Sequence, residues 1–126
     1  MKVSIQGIKG SFHHMVANHY FDSFVLNECS TFESLVKSVV DTESEYGIMA
    51  IENSIAGSIL PNYALIDEYN LSIIGEHSIN IDHNLMCLPN QNIKEIKEVH
   101  SHPMALLQCS KFFSNYPHIK LIESED

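Results

Sequence analysis

Residues 50 to 58 read Ala50-Ile51-Glu52-Asn53-Ser54-Ile55-Ala56-Gly57-Ser58, setting a carboxylate, a carboxamide and two hydroxyls close together. An apolar run over residues 46–51 precedes them and reads as a buried strand. An apolar-periodic segment over 59–68 follows and reads as a helix, with Pro61 tolerable only in its first turn. A strand that enters a helix through small polar residues is a place where α/β proteins bind anions, because unpaired backbone N–H groups converge there. An ordinary strand–helix turn with N-capping serines would use the same residues. Two more such starts stand at Gly10-Ser11 and at Ser101-His102-Pro103. Gln108, seven residues after Ser101, would share a helical face with it and line one wall of a cleft. Its alternative reading is a solvated helix residue. Glu52 could orient Asn53 or act as a buried hydrogen-bond acceptor, and a capping or packing role is equally open.

The elements that must position these residues alternate. Residues 3–6, 24–29, 46–51 and 71–75 are β-prone, and 11–21, 32–40 and 59–68 have helical spacing. Ser30 with Glu33 makes a capping-box pattern ahead of Phe32, Leu35, Val36, Val39 and Val40, which recur on one helical face. Strand–helix–strand alternation implies a parallel sheet flanked by helices. After His77 the rhythm changes to a long extended segment through 79–88, then a strand at 98–100, a helix from Pro103 to about residue 115, and a last strand at 119–122. The break near 75–78 reads as a crossing between two lobes, 1–76 and 77–126.

Composition excludes several classes of function. Of 126 residues, 44% are hydrophobic and 18% charged, as in ordinary globular domains. Sixteen acidic residues against seven lysines and no arginine give a net charge of −9, which argues against nucleic acid and against an anionic membrane surface. No apolar run approaches ~18 residues, and the N-terminus turns polar too early for a signal segment, so the chain is expected in the cytoplasm. Cys29, Cys87 and Cys109 are scattered and odd in number, which suits reduced thiols. Cys109 reads as a small buried hydrophobe, not a nucleophile. Among eight histidines, His13, His14, His100 and His102 could gather imidazoles, but no carboxylate or thiol accompanies them at ligand spacing, so no metal and no cofactor is expected.

Three blocks, in order along the chain, resemble the signatures of prephenate dehydratases. The 50–58 stretch is similar to Pro-Ile-Glu-Asn-Ser-x-x-Gly-Ser, with Ala50 where proline is usual. Gly7-Ile8-Lys9-Gly10-Ser11-Phe12-His13-His14 resembles Gly-Pro-x-Gly-(Ser/Thr)-Phe-Ser-His, departing at Ile8 and His13. Ser101-His102-Pro103-Met104-Ala105-Leu106-Leu107-Gln108-Cys109 is similar to Ser-His-Pro-Gln-Ala-Leu-x-Gln-Cys, departing at Met104. Ile81-Asp82-His83-Asn84-Leu85 looks like the family's Ile-x-His-x-Leu strand.

The resemblance implies an α/β, two-lobed fold of the periplasmic-binding-protein type (type II), with the site in the cleft. It also implies the substrate prephenate, a dicarboxylate that loses a ring carboxylate and a hydroxide to become aromatic phenylpyruvate in phenylalanine biosynthesis. By the same resemblance Asn53, Ser101 and Gln108 are catalytic, and Gly10, Ser11, Glu52, Ser54 and His102 bind substrate. Without arginine, the carboxylates would be held by backbone N–H groups, hydroxyls and side-chain amides. The family's Thr-Arg-Phe motif, whose threonine is the favoured proton donor, has no counterpart in these residues, nor does the regulatory domain. The second lobe and the return crossing are therefore expected to be incomplete, and the chain alone to be a poor dehydratase. Apolar surface left uncovered near Phe32, Phe112 and Phe113 would favour a dimer or a higher homo-oligomer. Two alternatives stand beside this reading: a non-catalytic module binding a small carboxylate on the same fold, and an arogenate dehydratase.

Overall fold

Three short parallel strands form the sheet that carries the first half of the chain. A computed structural model describes residues 1–125; Asp126, the end of the expected second lobe, lies outside the described residues. The chain divides into two units, Met1–Asn80 and Ile81–Asp126. In the first, β1 (Lys2–Gln6) lies between β2 (Val25–Cys29) and β3 (Tyr46–Ile48), all parallel. The crossovers are α1 (Phe12–Tyr20) and α2 (Phe32–Val40). Alternation along β1 sends Val3 and Ile5 to one face, where they pack with Ala17 of α1 and with Phe21, Phe24 and Tyr46. Ser4 points the other way, towards α2. The two helices thus cover opposite faces of the sheet, and β1, paired on both sides, is buried at Val3, Ser4 and Ile5.

The α2 face holds both a polar and an apolar contact set. The Ser4 hydroxyl donates to Ser44 (2.8 Å), accepts from the Asn27 amide (2.8 Å) and lies 2.6 Å from the Ser38 hydroxyl. The single proton of this buried hydroxyl and a lone pair are engaged, as the cost of an unmade hydrogen bond requires, while the Ser38 hydroxyl also reaches the Leu35 carbonyl (2.7 Å). Beside it Cys29, Leu35 and Val36 pack with Met49, Leu65, Tyr69 and Leu71. Gly47 in β3 has no room for a side chain: a Cβ there would stand 2.8 Å from Leu35 Cδ2 and 3.2 Å from Val39 Cγ2.

Several expectations need correction at residue level. The cap of α2 is Thr31, with Ser34 completing the reciprocal box, one residue beyond the expected Ser30 and Glu33. The strand expected over 46–51 leaves the ladder after Ile48. Residues 71–75 form no strand, and 79–88 contribute no ladder. In the second unit, β6 (Glu98–Ser101) and β7 (Lys120–Glu123) pair in parallel, and Leu106, Phe113 and Ile119 are buried. The helix expected from Pro103 to about 115 is two pieces, α4 (Pro103–Gln108) and α5 (Ser110–Phe113), broken at Cys109.

Candidate functional site

The segment after β3 does not run straight into a helix. Glu52–Asn53 (β4) and Gly57–Ser58 (β5) pair in antiparallel fashion, and α3 (Leu60–Glu68) begins only afterwards. Gly57 turns the chain with φ +75°, a conformation in which a β-carbon is strained. The hairpin is pinned at its base by three hydrogen bonds. The Ala50 N–H donates to His13 Nε2 (3.1 Å), the Asn62 amide donates to the Ala50 carbonyl (2.7 Å), and the Ile59 N–H donates to the Ile51 carbonyl (2.8 Å).

Asn53-Ser54 is therefore not a helix start; Asn53 organises a hairpin loop. Its Oδ1 accepts from the N–H groups of Ile55 (2.9 Å) and Ala56 (3.3 Å), which turns the oxygen inward. Its NH2 group has no hydrogen-bond partner among the described residues, and the side chain is half-buried. Glu52 is exposed, not buried, and is bound away from Asn53: Oε1 accepts from Tyr63 OH (3.0 Å) and from Ser58 Oγ (3.4 Å). The carboxylate beside Tyr63 raises that phenol's pKa. Ser54 is exposed at the loop.

At the Gly10-Ser11 start the donors are already engaged. Ser11 caps α1 by accepting from the His14 N–H (3.3 Å), and the Gly10 N–H donates to His14 Nδ1 (3.1 Å). The Lys9 N–H donates to a Glu28 carboxylate oxygen (2.7 Å). An anion here would compete with these internal acceptors.

In the second unit Ser101 ends β6 and does not open the helix. Its carbonyl accepts from the Ser124 N–H (2.9 Å), and the residue pairs with Glu123. The cap of α4 is His102, whose Nδ1 accepts from the Met104 N–H (3.2 Å), so its remaining proton sits on Nε2. Gln108 is the last residue of α4, and the seven-residue helical spacing from Ser101 does not apply, because Ser101 is a strand residue. Gln108 Oε1 lies 2.6 Å from His83 Nε2. An open depression at the ends of β6 and β7 is lined by His102, Pro103, Glu123, Ser124 and Glu125. Its two carboxylates would repel an anionic ligand.

Asn53 thus stands in the first unit, and Ser101, His102 and Gln108 in the second. Two histidines to which sequence reasoning gave no part in the substrate site, His13 and His83, hold the backbone beside one expected site residue and the side chain of another. For His13 the signal was its departure from the family motif, at a position opposite another departure, Ala50. No group of three or more histidine, cysteine or acidic side chains among the described residues is arranged to hold a metal ion, and no helix among them is long and apolar enough to cross a membrane.

The sequence model of the prephenate dehydratase family matches residues 3–126. A bifunctional chorismate mutase/prephenate dehydratase of Buchnera aphidicola is 41% identical over 94% of this chain and 32% of its own length. An arogenate dehydratase/prephenate dehydratase of Arabidopsis thaliana is 32% identical over 86% of this chain and 29% of its own. The chain spans about a third of the length of these curated relatives. The crystal structure of a Staphylococcus aureus prephenate dehydratase superposes with a TM-score of 0.84 at 23% identity, over all of this chain and 48% of that one. That likeness establishes the fold, and the α/β class of periplasmic-binding-protein type expected from the sequence stands.

Proposed function

Because this chain belongs to the prephenate dehydratase family, we propose that it supplies the substrate-holding part of a dehydratase that converts prephenate to phenylpyruvate. The observation that carries this reading is a shared arrangement of two carboxamides. Asn53 and Gln108 each have the oxygen engaged inside their own unit, by backbone N–H groups in one case and by an imidazole in the other. Each keeps its NH2 group without a protein partner among the described residues. Neutral, oriented donors of this kind suit carboxylates in a chain without arginine, and donors aimed where charge develops assist departure of the leaving group. Ser101 adds a hydroxyl at the end of β6. Ser54 is exposed on the same hairpin as Asn53, and Glu52 acts by holding that hairpin through Tyr63 and Ser58. Gly10 and Ser11, with donors engaged internally, and His102, beside two carboxylates, are weaker substrate contacts, each within its own unit. The two units are read as lobes of one catalytic region.

Of the apolar surface expected near Phe32, Phe112 and Phe113, Phe113 is buried and Phe32 half-buried, while Phe112 is exposed together with Leu107. That surface supports the proposed homo-oligomer, and the cytoplasm is its proposed compartment. Arogenate is the second substrate to consider, since the Arabidopsis relative carries both names.

The test titrates prephenate, and separately arogenate, into the purified chain while side-chain NH2 resonances are followed by NMR. Saturable shifts at Asn53 and Gln108 are expected with prephenate. Asn53→Ala should raise the dissociation constant of prephenate and, if the assay detects phenylpyruvate, lower turnover by ~10²-fold. Shifts at neither residue at millimolar prephenate would sink the reading; tighter binding of arogenate would transfer it to that substrate.

A further inference from the structure

A carboxamide can present either of its ends, and the two ends do opposite chemistry. Rotated one way, Gln108 offers NH2 to a carboxylate; rotated the other way it offers an oxygen that repels one. Its position alone does not settle the choice. Gln108 is the last residue of α4, half-buried, with the backbone fixed beyond it by the Cys109 N–H donating to the Ala105 carbonyl (3.0 Å). Three side-chain torsions remain. What fixes them is a contact 25 residues away in sequence: His83 Nε2 stands 2.6 Å from Gln108 Oε1, a short N–H···O distance. An imidazole that donates at Nε2 can be accepted only by the oxygen end, so the NH2 end must point away from His83.

We propose that His83 is a positioning residue that locks the Gln108 carboxamide with its NH2 directed at the substrate carboxylate. The inference rests on the reading that Gln108 contacts substrate. His83 itself touches no substrate; it acts by removing the wrong orientation. The bond also ties the irregular segment around Asp82-His83-Asn84 to the end of α4, within the second unit.

The experiment is a double-variant cycle on the intact chain, with the dissociation constant of prephenate as readout. His83→Ala should weaken binding about fivefold, the loss expected for one hydrogen bond's worth of orientation. Gln108→Ala should weaken it at least as much, and adding His83→Ala to Gln108→Ala should cost nothing further, because the two act through one group. His83→Gln, which keeps a donor, should restore most of the affinity. Gln108→Glu should keep the contact with His83 yet lose binding, since it faces the substrate with charge of the same sign. The His83 and Gln108 variants should give amide spectra that are native away from the contact.

Outcomes separate the two readings. If Gln108→Ala weakens binding while His83→Ala does not, or if their losses add independently, the positioning role is refuted and the proposed function stands. If Gln108→Ala leaves binding unchanged, the positioning role is refuted together with the part of the function assigned to Gln108. If the unsubstituted chain binds no prephenate, the proposed function falls and the role of His83 falls with it.

Discussion

Acidification should loosen the base of the Asn53 hairpin through one imidazole. His13 is half-buried on α1, and burial holds its pKa below the ordinary value of 6.5, with a hydrogen bond to the Gln6 backbone opposing the shift. The neutral ring uses Nε2 as the acceptor for the Ala50 N–H. Protonation would replace that lone pair by a second donor and set two N–H groups against each other. The unfolded chain takes up its proton near pH 6.5 and the folded chain only at lower pH. Stability from this source is therefore complete above 6.5, is lost as pH falls from 6.5 towards the depressed folded value, and levels off below it. Within the window the slope cannot exceed about 1.4 kcal/mol per pH unit for one proton. Partial exposure of the ring and the modest net worth of one hydrogen bond set a total loss of about 1–2 kcal/mol. Urea unfolding at pH 8, 7, 6 and 5, compared between the unsubstituted chain and His13→Gln, isolates the effect, since the other seven histidines cancel. The stability difference between the two should change only below about pH 6.5, in the direction that makes the unsubstituted chain lose more. Amide exchange at Ala50 should quicken over the same range beyond its intrinsic pH trend. Parallel stability curves from pH 8 to 5 would refute the reasoning.

Other substitutions test the scaffold. Thr31→Ala should cost about 1 kcal/mol by removing the α2 cap, while Ser30→Ala should cost little; equal effects in thermal unfolding would reject the assigned cap. Gly47→Ala should destabilise by about 1–3 kcal/mol, because the buried Leu35 side chain cannot retreat without overpacking its neighbours; an unchanged urea midpoint would contradict the close approach. Ser4→Ala should cost about 1–3 kcal/mol by leaving Ser44 and Asn27 short of a partner, and a neutral result would mean that the serine cluster takes up water instead.

Local periodicity made the three-stranded parallel sheet and its two crossover helices legible, because residues such as Val3, Ile5, Leu35 and Val36 repeat at the period of their own element. What it missed depends on partners distant in sequence. Met49, Ala50 and Ile51 continue an apolar run, yet Ala50 spends its N–H on His13 and its carbonyl on Asn62, so the ladder ends at Ile48. Residues 71–75 have strand composition, but a strand also needs a neighbour in register, which composition does not encode. Ser30 and Thr31 are both competent caps, and only the backbone decided between them. The break at Cys109 has no sequence signal that we can identify. For the proposed site the sequence offers residue types but not the orientation of the carboxamides, which is set by His83 and by the loop amides of Ile55 and Ala56.

The carboxamide NH2 groups of Asn53 and Gln108, without a partner among the described residues, also bear on how fast a ligand arrives. A site built from guanidinium groups draws anions in by a long-range field, and added salt slows that approach. Amide dipoles act only at contact. Around them this chain carries a net charge of −9, so a dianion approaches against repulsion and gains its binding energy only in the last few ångströms. Raising ionic strength should then accelerate association, the reverse of electrostatic steering, and leave the dissociation rate, governed by short hydrogen bonds, nearly unchanged.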